Sequence, residues 1–149
     1  KIGVRQPPVA GLGCEVTYSQ EYEQVILEQI NAERAMRNLP PHVMDEALSA
    51  GAPGPSAGRG GVGGFSHLGA DGKNYESRVK QAGISYKWIN EIIYWGNYGP
   101  KPAVQWWVYQ SQLHHDIVMA KKYTTVGVGY AKTNRGENKE YFTVLFSAP

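Results

Sequence analysis

The chain has 149 residues, 42% of them hydrophobic and 19% charged, with a net charge of +2. That is the length of one domain with enough apolar mass for a core, and it excludes a disordered chain. Basic residues are scattered, with Lys121-Lys122 the only adjacent pair, so a nucleic-acid footprint is missing; no apolar run is long enough to cross a bilayer.

The chain begins at Lys1 with neither an initiator methionine nor a signal-peptide pattern, and reads as a mature or trimmed product. Residues 1 to 19, with Pro7-Pro8 and no periodicity, read as an extended arm ahead of a domain over 20–149. The single cysteine, Cys14, lies in this arm and excludes an internal disulfide. Thr17 or Ser19 can cap a following helix, and Glu21 and Glu23 sit where the helix dipole favours negative charge. Tyr22, Ile26 and Ile30 recur every fourth residue, which predicts an amphipathic helix from Gln20 to Arg37, stopped by Asn38-Leu39-Pro40-Pro41.

Gly51 to Gly64 holds seven glycines and two prolines in 14 residues and reads as loop or linker. Tyr75, Val79 and Ala82 predict a helix over Asp71 to Ala82, ended by Gly83. Tyr86 to Trp95 is rich in β-branched and aromatic residues and predicts a strand. Pro100 and Pro102 open a further helix that carries Val104, Trp107 and Val108 and runs toward His114. Thr124 to Lys132 alternates, with Val126, Val128 and Tyr130 on one face and Gly127 and Gly129 on the other, where another element can approach the backbone closely. Tyr141 to Phe146 is almost wholly apolar, as expected of a strand buried on both faces and paired with the preceding one as a hairpin. Helices interspersed with antiparallel strands make an α+β sandwich.

The residues that carry chemistry are His67, Glu91 and His114. Two imidazoles and a carboxylate can hold a divalent cation or share protons, provided the fold gathers them. His115 is turned about 100° from His114 on a helix and, with Asp116, is expected in solvent. His42, in a loop after Pro41, has no assigned role. Trp88, Trp95, Trp106, Trp107, Tyr94 and Tyr98 are expected mostly in the core, with one or two lining an apolar groove for a lipid or glycan. Neither a Gly-x-Ser-x-Gly elbow nor a His-Glu-x-x-His helix is present, so nucleophilic and standard zinc-protease chemistry lack support.

Four segments, in order, give the chain a family likeness. They are Ile30-Asn31-Ala32-Glu33-Arg34 with Leu39-Pro40-Pro41, Phe65-Ser66-His67-Leu68-Gly69-Ala70-Asp71-Gly72, Asn90-Glu91-Ile92-Ile93-Tyr94-Trp95-Gly96, and Trp107 through His114 to Val126-Gly127-Val128-Gly129. Together they resemble the CAP superfamily (cysteine-rich secretory proteins, antigen 5 and pathogenesis-related proteins) in its bacterial SCP-domain form, over about residues 20–149. The resemblance implies a three-layer α-β-α sandwich on a mainly antiparallel sheet, and a secreted or cell-envelope location. It implies a cleft centred on His67, Glu91 and His114, with Trp95 and Tyr98 as further ligand contacts. It also implies that His67 and His114 could hold zinc or another divalent cation.

The expected function is binding of a small apolar or envelope-derived ligand, with or without that cation. One alternative is a metal-assisted hydrolase with Glu91 as the general base; another is a protein-interaction module whose cleft is vestigial. Two departures stand out. The family's Gly-Glu-Asn is Asn90-Glu91-Ile92, and its second acidic residue has no counterpart, with Gln110 or Ser111 near that place. The family's alanine-rich helix before the first histidine falls on the Gly-Pro segment, so that helix is expected to be distorted or replaced by ordered coil.

Overall fold

The computed structural model describes residues 16–17, 19–51, 75–81, 83–133 and 140–148. His67 and most of the Gly-Pro segment lie outside them. The chain enters through β1 (Val16–Thr17), the end of the sequence-predicted arm, and passes directly into α1 (Gln20–Ala35). Ser19, not Thr17, caps that helix: its backbone is extended and its hydroxyl accepts from the Tyr22 N–H at 3.1 Å. At the other end Asn38 adopts a positive φ of 57°. The Leu39 N–H returns to the Arg34 carbonyl and closes the helix ahead of the two prolines.

After α1 come β2 (Val43–Met44), α2 (Glu46–Gly51), α3 (Tyr75–Gln81) and β3 (Trp88–Gly96). Then follow α4 (Pro100–Tyr109), α5 (Gln112–Met119), β4 (Thr125–Thr133) and β5 (Glu140–Ala148). Several boundaries differ from expectation, among them α1, which ends at Ala35 rather than Arg37, and β5, which reaches Ala148 rather than Phe146. Gly51 still belongs to a helix. β3 starts at Trp88, two residues later than predicted. The helix expected to run from Pro100 through His114 is two helices, because Ser111 takes an extended backbone and caps α5 with its own hydroxyl. A serine that offers an N-cap acceptor favours such a restart over continuation.

The strands form one sheet in the order β1-β4-β5-β3, with β2 also on β4. All pairs are antiparallel except β2 with β4, which is parallel. β5 lies in the middle and is buried along its whole length. Its Phe142, Val144 and Phe146 point into the larger core, with Val126, Val128, Tyr130 and Ile92, under Ile26, Ile30, Val104, Trp107 and Val118 of the helices. Its Leu145 points the other way and meets Leu48 of α2 and Val79 of α3. Helices on both faces of a sheet make the three-layer α-β-α sandwich. Each fully buried Ile, Val or Phe contributes on the order of 2 kcal/mol of hydrophobic stabilisation.

β1 and β2 occupy the two ends of one edge of β4 and leave a gap between them. Side chains close it: the Ser49 hydroxyl accepts from the Val128 N–H and a Glu23 carboxylate oxygen from the Tyr130 N–H, both at 3.1 Å. The edge is thus denied to another strand. Close packing of α2 on β4 rests on Gly127, as its place on the glycine face predicted. A Cβ there would lie 2.4 Å from the Leu48 carbonyl carbon and 2.5 Å from the Ser49 nitrogen.

Candidate functional site

Among the described residues β3 is an edge strand of the sheet, and α4 is anchored along it. The Trp107 indole N–H donates to the Ile93 carbonyl at 3.0 Å, with the ring wholly buried. Burying Trp107 with Val104 and Val108 turns its neighbour Trp106 outward, 39% exposed, beside the edge strand. α5 then restarts at Ser111 and brings His114 against Trp106, ring centroids 5.1 Å apart. Ile93, Tyr94, Trp95, Trp106 and His114 line a pocket of about 410 Å³. That volume suits a small organic ligand, and four of the five described residues that line it are apolar or aromatic.

The polar end of the pocket is organised by Ser111. Its hydroxyl lies 2.6 Å from His114 Nδ1 and also caps the His114 backbone N–H. A contact at Nδ1 orients the ring in the pocket wall, with the hydroxyl able to donate to or accept from that nitrogen. By the resemblance, Gln110 or Ser111 stands near the place of the family's second acidic residue, and here it is the Ser111 hydroxyl that contacts the imidazole.

Glu91 is buried on β3 opposite Leu145, and its N–H is held by the Asn90 side chain at 2.9 Å. Strand alternation puts Glu91 on the same face as Ile93 and Trp95, one pleat from the pocket wall. The structure therefore places His114 and Trp95 in one pocket, with Glu91 on the strand that forms its wall. Tyr98 is 88% exposed in the loop after β3 and is not among the described residues lining the pocket. His67 lies outside the described residues.

The aromatics correct the expectation of a mainly core role. Of the six, only Trp107 is buried; Trp88, Trp95, Trp106 and Tyr98 are exposed and Tyr94 is intermediate. Sequence reasoning misses Trp106, Tyr94 and Ser111 as site residues. A signal for Trp106 exists, because a helix that buries Val104, Trp107 and Val108 turns residue 106 away from the core. The signal for Ser111 is its cap preference.

Of the other histidines, His115 differs from the expectation that it is solvated. His115 is half-buried, its Nδ1 2.9 Å from the Val108 carbonyl. His42 is only 3% exposed, edge-on to Phe146, with neither ring nitrogen hydrogen-bonded among the described residues. Burial, and then the nearby Arg34 guanidinium, push its pKa down to about 4. The Thr124 and Val118 carbonyls favour the proton but make no hydrogen bond with the ring. Arg34 itself is buried and donates to the carbonyls of Pro40, Val118 and Ala120 at 2.7–2.9 Å. Burial lowers its pKa.

The sequence model of the cysteine-rich secretory protein family, CAP, matches residues 27–146. The chain is a CAP-family protein. This CAP domain is 32% identical over 112 residues to YkwD, an uncharacterized protein of Bacillus subtilis, and the match covers 75% of the chain and 43% of YkwD. Its fold is shared by an extracellular SCP-domain protein of Bacillus anthracis, with a TM-score of 0.74 and 22% identity, over 87% of this chain and 41% of that one. An outer surface protein of Borrelia burgdorferi matches at a TM-score of 0.76 and 22% identity, over 87% of this chain and 93% of that one. The CAP domain thus spans less than half of YkwD and of the Bacillus anthracis protein. Among the described residues no helix is long and apolar enough to cross a membrane.

The metal that the resemblance implied meets an incomplete donor set in what is described. Among the described residues no three His, Cys, Asp or Glu side chains gather as a cation site. Among the described residues His114 is the imidazole that lines the pocket, and Glu91 lies on the same strand as its Ile93 and Trp95.

Proposed function

We propose that this CAP domain binds a small, largely apolar ligand of the cell envelope at the β3 edge, outside the cytoplasm. The observation that supports this is the pocket of about 410 Å³ walled by Ile93, Tyr94, Trp95 and Trp106, with the His114 imidazole as its polar end. Aromatic walls supply contact area at low entropic cost, and one oriented imidazole supplies direction. The extracellular and outer-surface proteins that share the fold fit that location. The ligand would lie across Trp106 and Tyr94 with a hydroxyl or carboxylate toward the His114 ring.

The test is titration with the neutral apolar fluorophore N-phenyl-1-naphthylamine, together with mass spectrometry of lipids extracted from the purified protein. Wild type should bind saturably, and Trp106→Ala should weaken binding about tenfold or more, since a lost aromatic wall removes over ~1 kcal/mol. Equal binding by wild type and Trp106→Ala would refute the assignment.

A further inference from the structure

We propose that the end of the sheet carrying Lys87, Trp88 and Lys122 docks on the surface of an anionic lipid bilayer. Trp88 is the first residue of β3, and its ring is 46% exposed. Two ammonium groups converge on that ring: Lys122 Nζ lies 4.9 Å from its centroid and Lys87 Nζ 5.8 Å. Lys122 Nζ is also 5.3 Å from the Tyr123 ring. Lys121, next along the chain, is exposed. Among the described residues none of these lysines pairs with a carboxylate; the ion pair that does form joins Arg37 and Glu33. The exposed Val43 stands at the same end of the sheet, because Val43 pairs with Thr125, Thr125 with Ser147 and Ser147 with Ile89. Three strand spacings, about 14 Å, separate it from β3.

Two cations on an exposed indole, with a third exposed lysine next along the chain, fit one occupant better than others. An indole settles at the headgroup level of a bilayer, where its apolar body leaves water and its N–H stays wet. Lysine stems lie along it while the ammoniums reach anionic headgroups. Each lysine near such a surface raises the partition coefficient about fivefold. A soluble polyanion would engage the lysines equally well but would leave Trp88 and Val43 in water. The surface lies apart from the β3-edge pocket, whose lining includes none of these residues.

Co-sedimentation with vesicles of phosphatidylcholine, with and without phosphatidylglycerol, tests this. Binding should require phosphatidylglycerol and decline as salt is raised, because exposed charges are screened. The double substitution Lys87→Glu with Lys122→Glu should weaken it about tenfold or more while preserving the circular dichroism of the fold. Trp88→Ala should weaken it without changing the salt dependence, and Trp106→Ala should leave it unchanged. Three results would overturn the proposal: no phosphatidylglycerol-dependent binding at low salt, undiminished binding by the charge-reversed protein, or vesicle binding that Trp88→Ala leaves at the wild-type level, as expected of a site for soluble polyanions.

Discussion

At the scale of single residues, the candidate site depends on one hydroxyl. Ser111 Oγ both caps α5 and contacts His114 Nδ1 at 2.6 Å, so one atom decides where the helix starts and how the imidazole is set in the pocket. Ser111→Ala should cost about 1 kcal/mol of stability through the lost cap. It should also release Nδ1, and the nitrogen-15 chemical shifts of His114 should move as that contact is lost. A purely structural cap would change stability and leave those shifts in place, so the spectrum separates the roles. Arg34 shows the same economy elsewhere. Its guanidinium fork holds three carbonyls, two of them at the end of α5, where a cation also complements the helix dipole. It thereby fixes the far end of the helix whose near end carries His114.

At the scale of elements, the fold follows from how closely α2 can approach β4. A methyl group at Gly127 would sit within 2.6 Å of three backbone atoms of Leu48 and Ser49, none of which can rotate aside. Gly127→Ala should therefore cost about 3 kcal/mol, the upper part of the overpacking range, and urea unfolding should show it as a lower midpoint. A change below about 0.5 kcal/mol, the size of an ordinary surface substitution, would mean that α2 shifts freely on the sheet. The alternation of β4 disclosed this contact in advance: Val126, Val128 and Tyr130 marked the core face, and the glycines marked the opposite face as the place of close approach. β5 was equally legible, because an unbroken apolar run has no solvent face to offer. The split of α4 from α5 was not legible from apolar spacing, since Val104, Trp107 and Val108 continue in phase toward His114. A single capping hydroxyl decided it, and periodicity carries no record of that bond. The short strands β1 and β2 escaped notice for a related reason: two residues have no period, and pairing with β4 alone defines them.

At the scale of the whole molecule, the order of four motifs was enough to indicate the three-layer sandwich, whereas the composition of the pocket required its tertiary neighbours. His114, Glu91 and Trp95 were readable as candidates; that Trp106 would join His114 and Trp95 in one pocket and Tyr98 would not depended on how α4 docks along the β3 edge. His42 is the clearest case of information that exists only in the assembled fold. Its sequence context, in a loop just after two prolines, assigns it no role, yet Asn31 grips its backbone through two hydrogen bonds of 2.8 and 3.1 Å and the ring lies buried in the core. There the imidazole lies beside Arg34 with no hydrogen bond at either nitrogen among the described residues. The folded protein must therefore keep His42 neutral down to about pH 4, while the unfolded chain takes up the proton near pH 6.5. Between those values the unfolded state binds more protons, so the contribution of this residue is fully present above pH 6.5 and is lost as the pH falls toward 4, by at most about 3 kcal/mol. Leucine at this position would fill similar space, leave no polar atom unsatisfied and carry no proton. His42→Leu should match or exceed wild-type stability in urea at about pH 7, and its advantage should widen at about pH 4.5. If wild type and variant lost equal stability between those two pH values, the acid sensitivity would belong to other groups, and the buried imidazole would be a packing element alone.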